Sequence, residues 1–119
     1  MFFRKIIALF FLICLGVHVY GLIAPFSAET PLSHVVHLVS YGMCLFAILQ
    51  NFRARILVYI LGSIYPLYIH VPCAWSAFEK GHVNWVCLAV TLFIPLGCVW
   101  LLKKGKINFK YVLNPTKRS

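Results

Sequence analysis

Acidic residues are almost missing from this chain. Its 119 residues include only two acids, Glu29 and Glu79, against 11 Lys and Arg, and 11% of all residues are charged. A soluble domain has about 25% charged residues. Together with the excess of apolar residues, this scarcity of charge excludes a soluble enzyme and a disordered tail.

Paired cysteines are also lacking. The chain has five cysteines but no Cys-x-x-Cys motif, so neither a disulfide-stapled secreted module nor the paired-thiol chemistry of membrane disulfide or quinone oxidoreductases is supported. Four of the thiols fall inside apolar runs and are expected to pack as small hydrophobes. Only Cys73 is expected to be exposed on the outer side.

Long apolar runs dominate what remains, because 62% of the residues are hydrophobic. A helix needs about 20 mainly apolar residues to cross a bilayer, and four runs meet this requirement. They cover residues 6–24, 33–49, 56–71 and 83–102, and the third could continue to Trp75. The sequence therefore predicts an all-α integral membrane protein with four transmembrane helices.

The predicted outer loops, 25–32 and 72–82, both begin at a proline, which commonly ends a helix. Thr30-Pro31 is typical of a helix start with Pro in its first turn. Connections as short as these favour antiparallel neighbours. We therefore expect an up-down-up-down four-helix bundle over residues 1–102, followed by a basic tail over residues 103–119.

The cations lie on one side of this predicted bundle. Ten flank the inner ends of the runs, while Lys80 is the only cation on the outer side, where Glu29 and Glu79 also lie. By the positive-inside rule, both termini are expected to be cytoplasmic. The compact loops and short basic N-terminus favour the bacterial inner membrane, and the net charge of +9 is explained without nucleic acid.

The tail contributes six of these cations and no acid. We expect it to contact anionic lipid or an acidic cytoplasmic surface of a partner. The cations are Lys103, Lys104, Lys106, Lys110, Lys117 and Arg118.

Histidines gather toward one end of the bundle in this topology. Imidazole is the commonest metal ligand, and His-x2-His or His-x2-Cys on a helix places two donors on one side. The candidate ligands for Cu, Zn or haem are His18, His37, His70 and Cys73. His34 and His82 are expected to be solvated. The competing interpretation is that these polar residues only pack helices against each other. Under this interpretation, no cofactor is expected to be bound.

The sequence assigns no chemical role to either acid. Glu29 is expected to favour the N-terminus of the second helix, and Glu79-Lys80 to form a solvated turn. Since the sequence has no Ser/His/Asp arrangement, nucleotide loop or paired carboxylate, it predicts a non-catalytic protein.

The main hypothesis from the sequence is an accessory or structural subunit of a larger membrane complex, with other membrane-protein subunits as partners. One alternative is a metal- or haem-binding, electron-transfer subunit. Another is a small oligomeric transporter or channel, against which the strong charge asymmetry and the absence of an acid inside the runs both argue.

Overall fold

The computed structural model describes residues 2–24 and 29–105, with the side chains of residues 104 and 105 left aside. Four helices make up this part of the chain, and it contains no strand. They are α1 (Phe2–Ile23), α2 (Pro31–Leu49), α3 (Arg55–Glu79) and α4 (Trp85–Gly105). All four are long and apolar enough to cross a membrane, so the prediction of four such helices is confirmed.

The helix starts follow from local side-chain chemistry. The Thr30 hydroxyl accepts a hydrogen bond from the Ser33 amide at 3.2 Å, and Pro31 occupies the first turn of α2. The Asn84 side-chain oxygen accepts from the Cys87 amide at 3.1 Å in the same way at the start of α4. Each cap satisfies an amide that the helix itself leaves without a partner.

The prediction that Pro72 opens an outer loop is wrong. α3 continues through Pro66 and Pro72 to Glu79, so only a short segment separates it from α4. Each proline removes one backbone hydrogen bond. In an apolar environment, however, a helix remains the arrangement that satisfies the other backbone groups, and Pro is tolerated there.

The helices form a bundle in which α2 packs against α1 and α3, and α4 packs mainly against α3. Aromatic rings fill its centre, with the Phe11 ring 6.1 Å from that of Tyr41 and 5.9 Å from that of Tyr59. The Tyr59 hydroxyl donates to the Ile94 carbonyl at 2.6 Å. Gly97 makes room for this hydroxyl, because a Cβ at that position would overlap it.

Large apolar side chains are exposed on every helix, as expected for a surface that faces lipid. At one end of the bundle, Arg4 donates to the Leu49 carbonyl at 3.0 Å, and the Arg55 guanidinium lies 5.6 Å from the Trp100 ring centre. We call this the basic end. The imidazoles described below lie away from it.

Lys103 is exposed near the end of α4. The predictions for the rest of the basic tail concern Lys106, Lys110, Lys117 and Arg118, which lie outside the described residues, as does the Lys104 side chain.

Candidate functional site

Three imidazoles and one carboxylate meet where the end of α1 contacts the start of α2. We call them the histidine cluster: His18, Glu29, His34 and His37. The histidine side chains are almost fully buried, and Glu29 is 22% exposed. The Nδ1 atoms of His18 and His34 are 2.8 Å apart, so one of them donates a hydrogen bond to the other.

Glu29 joins the imidazoles together. Its Oε2 atom lies 3.8 Å from His18 Nδ1 and 3.7 Å from His34 Nδ1, and its Oε1 atom lies 2.5 Å from His37 Nδ1. The carboxylate therefore contacts each ring of the cluster with one of its two oxygens.

Hydrogen bonds hold the carboxylate of Glu29 in place. The Ser33 hydroxyl donates to Glu29 Oε1 at 2.6 Å and lies 2.9 Å from the Tyr65 hydroxyl. Since the Ser33 proton is used on Glu29, the Tyr65 hydroxyl is the donor in the second bond. Burial raises the pKa of the Glu29 carboxyl, but the Ser33 hydrogen bond and the imidazoles, His37 foremost, outweigh it and lower the pKa from 4.5.

Stacking fixes the imidazole rings. The His18 and His37 rings are nearly parallel, with their centres 4.3 Å apart and 12° between their planes. The Tyr41 ring lies beside both of them, with its centre 5.5 Å from that of His18 and 5.6 Å from that of His37. His34 lies directly over Gly21 of α1, where a Cβ would approach the ring atoms to between 2.5 and 3.0 Å.

The four residues predicted as ligands divide into two groups. His18 and His37 lie together in the histidine cluster, and the His70 ring centre is 5.3 Å from that of His37. His70 Nδ1 contacts the Cys87 thiol at 3.3 Å, and Cys73 accepts a hydrogen bond from Asn84 at 3.4 Å. His70 and Cys73 thus form a neighbouring site between α3 and α4.

One cavity connects the two groups. Its volume is about 740 Å³, and its lining includes His18, Glu29, His70, Cys73 and Cys87. Polar side chains gathered around a cavity between apolar helices are costly, because polar groups in a bilayer must find partners inside the protein. The cluster and the cavity are therefore the part of the bundle where ligand binding is expected.

One sequence-based expectation about this site is wrong, and a second is incomplete. His34 is not solvated, since it is 2% exposed and belongs to the cluster. Glu29 does more than favour a helix terminus, since it contacts three imidazoles. Ser33 and His37 lie four residues apart and share a face of α2. Glu29 lies just before this helix and four residues before Ser33, and this spacing is the signal that could have placed the acid in the site. His82 is exposed as expected.

Fold and site together define the class of protein: an all-helical bundle of four candidate membrane-spanning helices with a buried histidine–carboxylate cluster. No family model, curated protein or solved structure matches the chain.

Proposed function

We propose that this protein is an integral membrane protein that binds a divalent transition-metal ion, with Zn²⁺ as the test case, in the histidine cluster. One observation carries the proposal: His18 Nδ1, His34 Nδ1 and Glu29 Oε2 lie 2.8, 3.7 and 3.8 Å from one another. Ligand atoms at about 2.0–2.2 Å from a tetrahedral Zn²⁺ ion are separated by roughly 3.3–3.6 Å. Small movements of the side chains would bring these three atoms to that spacing.

A fourth donor is at hand. His18, Glu29 and His37 each offer a ligand atom, all within 4.8 Å of one another, so His37 is a further candidate donor beside the pair His18 and Glu29. Imidazole and carboxylate together suit Zn²⁺ and its neighbours in the first transition series.

The surroundings of the cluster support metal binding over simple packing. Ser33 and Tyr65 orient the Glu29 carboxylate, as outer residues orient the ligands of known metal sites. The Nε2 atoms of His37 and His70 are buried and have no hydrogen-bond partner among the described residues. Packing alone gives no reason to collect so many imidazoles around one carboxylate in an apolar bundle.

The geometry favours an ion over haem. Two histidines that bind haem iron from opposite sides must face each other across a flat macrocycle. The His18 and His37 rings instead stack face to face at 4.3 Å, which leaves no space for such a group between them.

Zinc titration of the full-length protein in detergent micelles tests the proposal. Isothermal titration calorimetry is expected to show one Zn²⁺ per chain, because the imidazole that donates in the His18–His34 hydrogen bond can carry its proton on Nε2 instead and leave both Nδ1 atoms free for the ion. His18→Ala is expected to weaken binding at least about tenfold, whereas His82→Ala, at an exposed position, is expected to bind as the wild type does. Equal binding by both variants, or no binding by the wild type, would refute the proposal.

We further propose an up-down-up-down arrangement with both termini in the cytoplasm of a bacterial cell. Two contacts support the antiparallel orientation of the first two helices: Arg4 near the start of α1 bonds to Leu49 at the end of α2, and His18 late in α1 bonds to His34 early in α2. The concentration of cations at the basic end supports the cytoplasmic placement of that end. Contact of the basic tail with anionic lipid stays a prediction.

A second candidate function is the one that the sequence favours, an accessory subunit of a larger membrane complex. The observation that favours it is an apolar groove of about 570 Å³ lined by Ile13, Gly16, Val17, Tyr20 and Val86. Gly16 is exposed there and a Cβ would meet nothing within 4 Å, so the backbone of another transmembrane helix could approach closely.

A pull-down in mild detergent followed by mass spectrometry tests this candidate, with Gly16→Leu as the variant that fills the groove. Recovery of membrane proteins with the wild type and their loss with Gly16→Leu would support it. Recovery of the chain only as a monomer or homo-oligomer would contradict it, without affecting the zinc proposal.

A further inference from the structure

Two thiols that lie 14 positions apart in the sequence come close together in the fold. Cys73 on α3 and Cys87 near the start of α4 both contact the side chain of Asn84, and both line the cavity described above. The pair does not form a Cys-x-x-Cys motif. The two cysteines lie on different helices, and the turn after α3 brings them together across the interface between α3 and α4.

Asn84 orients the first of these thiols. Its side-chain oxygen accepts the hydrogen bond of the Cys87 amide at the start of α4, and its side-chain nitrogen donates to Cys73 Sγ at 3.4 Å. Because the oxygen is occupied by the helix cap, the amide is fixed with its N–H groups toward the thiol. The Asn84 N–H therefore holds the Cys73 sulfur in a fixed position beside the start of α4.

The two thiols differ in access. Cys73 is partly exposed, whereas Cys87 is 5% exposed and also contacts His70 Nδ1 at 3.3 Å. An external reagent therefore reaches Cys73 first, and Cys87 is placed to react with whatever forms on Cys73. This division into an attacking and a resolving thiol is the usual arrangement in reversible thiol chemistry.

We propose that Cys73 and Cys87 form a reversible disulfide by exchange with an external disulfide. The Cys73 thiolate attacks one sulfur of that disulfide, a mixed disulfide forms, and the first external thiolate leaves. The Cys87 thiolate then attacks Cys73 Sγ and releases the second external thiolate. The two protein thiols are oxidised, the external disulfide is reduced to two thiols, and the two protons pass to the leaving thiolates.

The bond would tie α3 to α4 beside the histidine cluster. Under the proposed topology, this end of the bundle faces away from the cytoplasm, toward the compartment in which disulfides persist. The thiol pair stands on its own contacts, and it does not depend on whether the histidine cluster binds metal.

The test uses the full-length protein in detergent micelles with glutathione and glutathione disulfide at a series of ratios. After acid quenching, denaturation and alkylation, intact-mass spectrometry counts the free thiols, and peptide mapping locates the bond. The wild type is expected to change from five alkylated thiols to three as the buffer becomes more oxidising, with Cys73 linked to Cys87. Cys98→Ser, which removes another thiol of α4, is expected to keep the same transition from four to two.

Two variants test the assigned roles. Cys87→Ser is expected to stop at the mixed disulfide, with glutathione attached to Cys73. Asn84→Ala is expected to slow the reaction of Cys73 several-fold while the final disulfide remains the same. Five alkylated thiols at every ratio in the wild type, or a disulfide that involves another cysteine, would overturn the proposal.

Discussion

Glu29 organises the histidine cluster at the scale of single residues. One carboxylate oxygen lies near His18 and His34, and the other contacts His37 and accepts from Ser33. Because the chain has only one other acid, Glu79, a substitution of Glu29 can be compared directly with the same substitution of Glu79.

The first prediction concerns this acid. Glu29→Gln keeps the size of the side chain but removes its charge, so Zn²⁺ loses an anionic ligand and binding is expected to weaken at least about tenfold. Glu79→Gln is the matched control, since Glu79 is exposed and accepts a hydrogen bond from the Trp75 indole at 2.9 Å. Calorimetric zinc affinities for both variants check the prediction, and equal affinities would count against a site at Glu29.

A second prediction rests on the contact between Gly21 and His34. A methyl group at position 21 would approach the imidazole atoms to between 2.5 and 3.0 Å, so Gly21→Ala must displace the ring. We expect a loss of stability of about 1–3 kcal/mol and weaker zinc binding. Gly16→Ala adds the same methyl group to the same helix where nothing lies within 4 Å, and it should lower neither thermal stability nor zinc affinity in detergent.

Sequence reasoning found part of this site. The histidines were visible because few other residue types bind metals, and His18 and His37 do meet. His34 was missed because its place at the start of a helix resembles a solvated position, although Gly21 opens space for it inside the bundle. Glu29 was missed because an acid before a helix has a sufficient local explanation at the helix N-terminus, and only the packing of α1 and α3 against it shows more.

At the scale of helices, the hydrogen bond from Tyr59 on α3 to Ile94 on α4 is the main buried polar contact between these two elements. It lies beside Pro95, which leaves the backbone of α4 without one of its own hydrogen bonds. Gly97 allows the tyrosine to approach. Tyr59 therefore fixes the relative position of α3 and α4.

The third prediction is that Tyr59→Phe destabilises the bundle by about 0.6–1.7 kcal/mol, the range found for hydrogen bonds between membrane helices. Tyr68→Phe is the control, because Tyr68 lies on the same helix and is 73% exposed. Unfolding in mixed micelles with increasing denaturing detergent measures both variants. An equal stability of the two variants would show that the Tyr59–Ile94 bond does not hold α3 to α4.

Sequence reasoning was most successful for the helices themselves. Four apolar runs of sufficient length gave four helices, because in lipid the backbone has few other ways to satisfy its hydrogen bonds. The same physics explains the error at Pro72. The rule that proline ends a helix holds where water can take over the lost hydrogen bonds, whereas a helix as long and apolar as α3 continues through its prolines to Glu79.

At the scale of the whole molecule, the proposed topology separates two kinds of chemistry. Cations gather at the basic end, while the histidine cluster and the Cys73–Cys87 pair lie at the other end around one cavity. If the basic end is cytoplasmic, the end with the histidine cluster faces the outer compartment, from which an ion or a disulfide can reach it without crossing the membrane.

The fourth prediction follows from this orientation. Green fluorescent protein folds in the bacterial cytoplasm and fails to fluoresce when exported through the general secretion pathway, so a C-terminal fusion is expected to fluoresce. A fusion after residue 82, in the predicted outer loop, is expected to remain dark. The opposite pattern would show that the basic end lies outside.

Zinc K-edge X-ray absorption on the full-length protein loaded with one equivalent of Zn²⁺ tests the central claim most directly. The account predicts nitrogen and oxygen ligands at about 2.0–2.2 Å, with the scattering pattern of imidazole and no sulfur. A shell of sulfur at about 2.3 Å would place the ion on the Cys73–Cys87 pair instead. That result, or an unchanged spectrum after His18→Ala, would contradict a metal site in the histidine cluster.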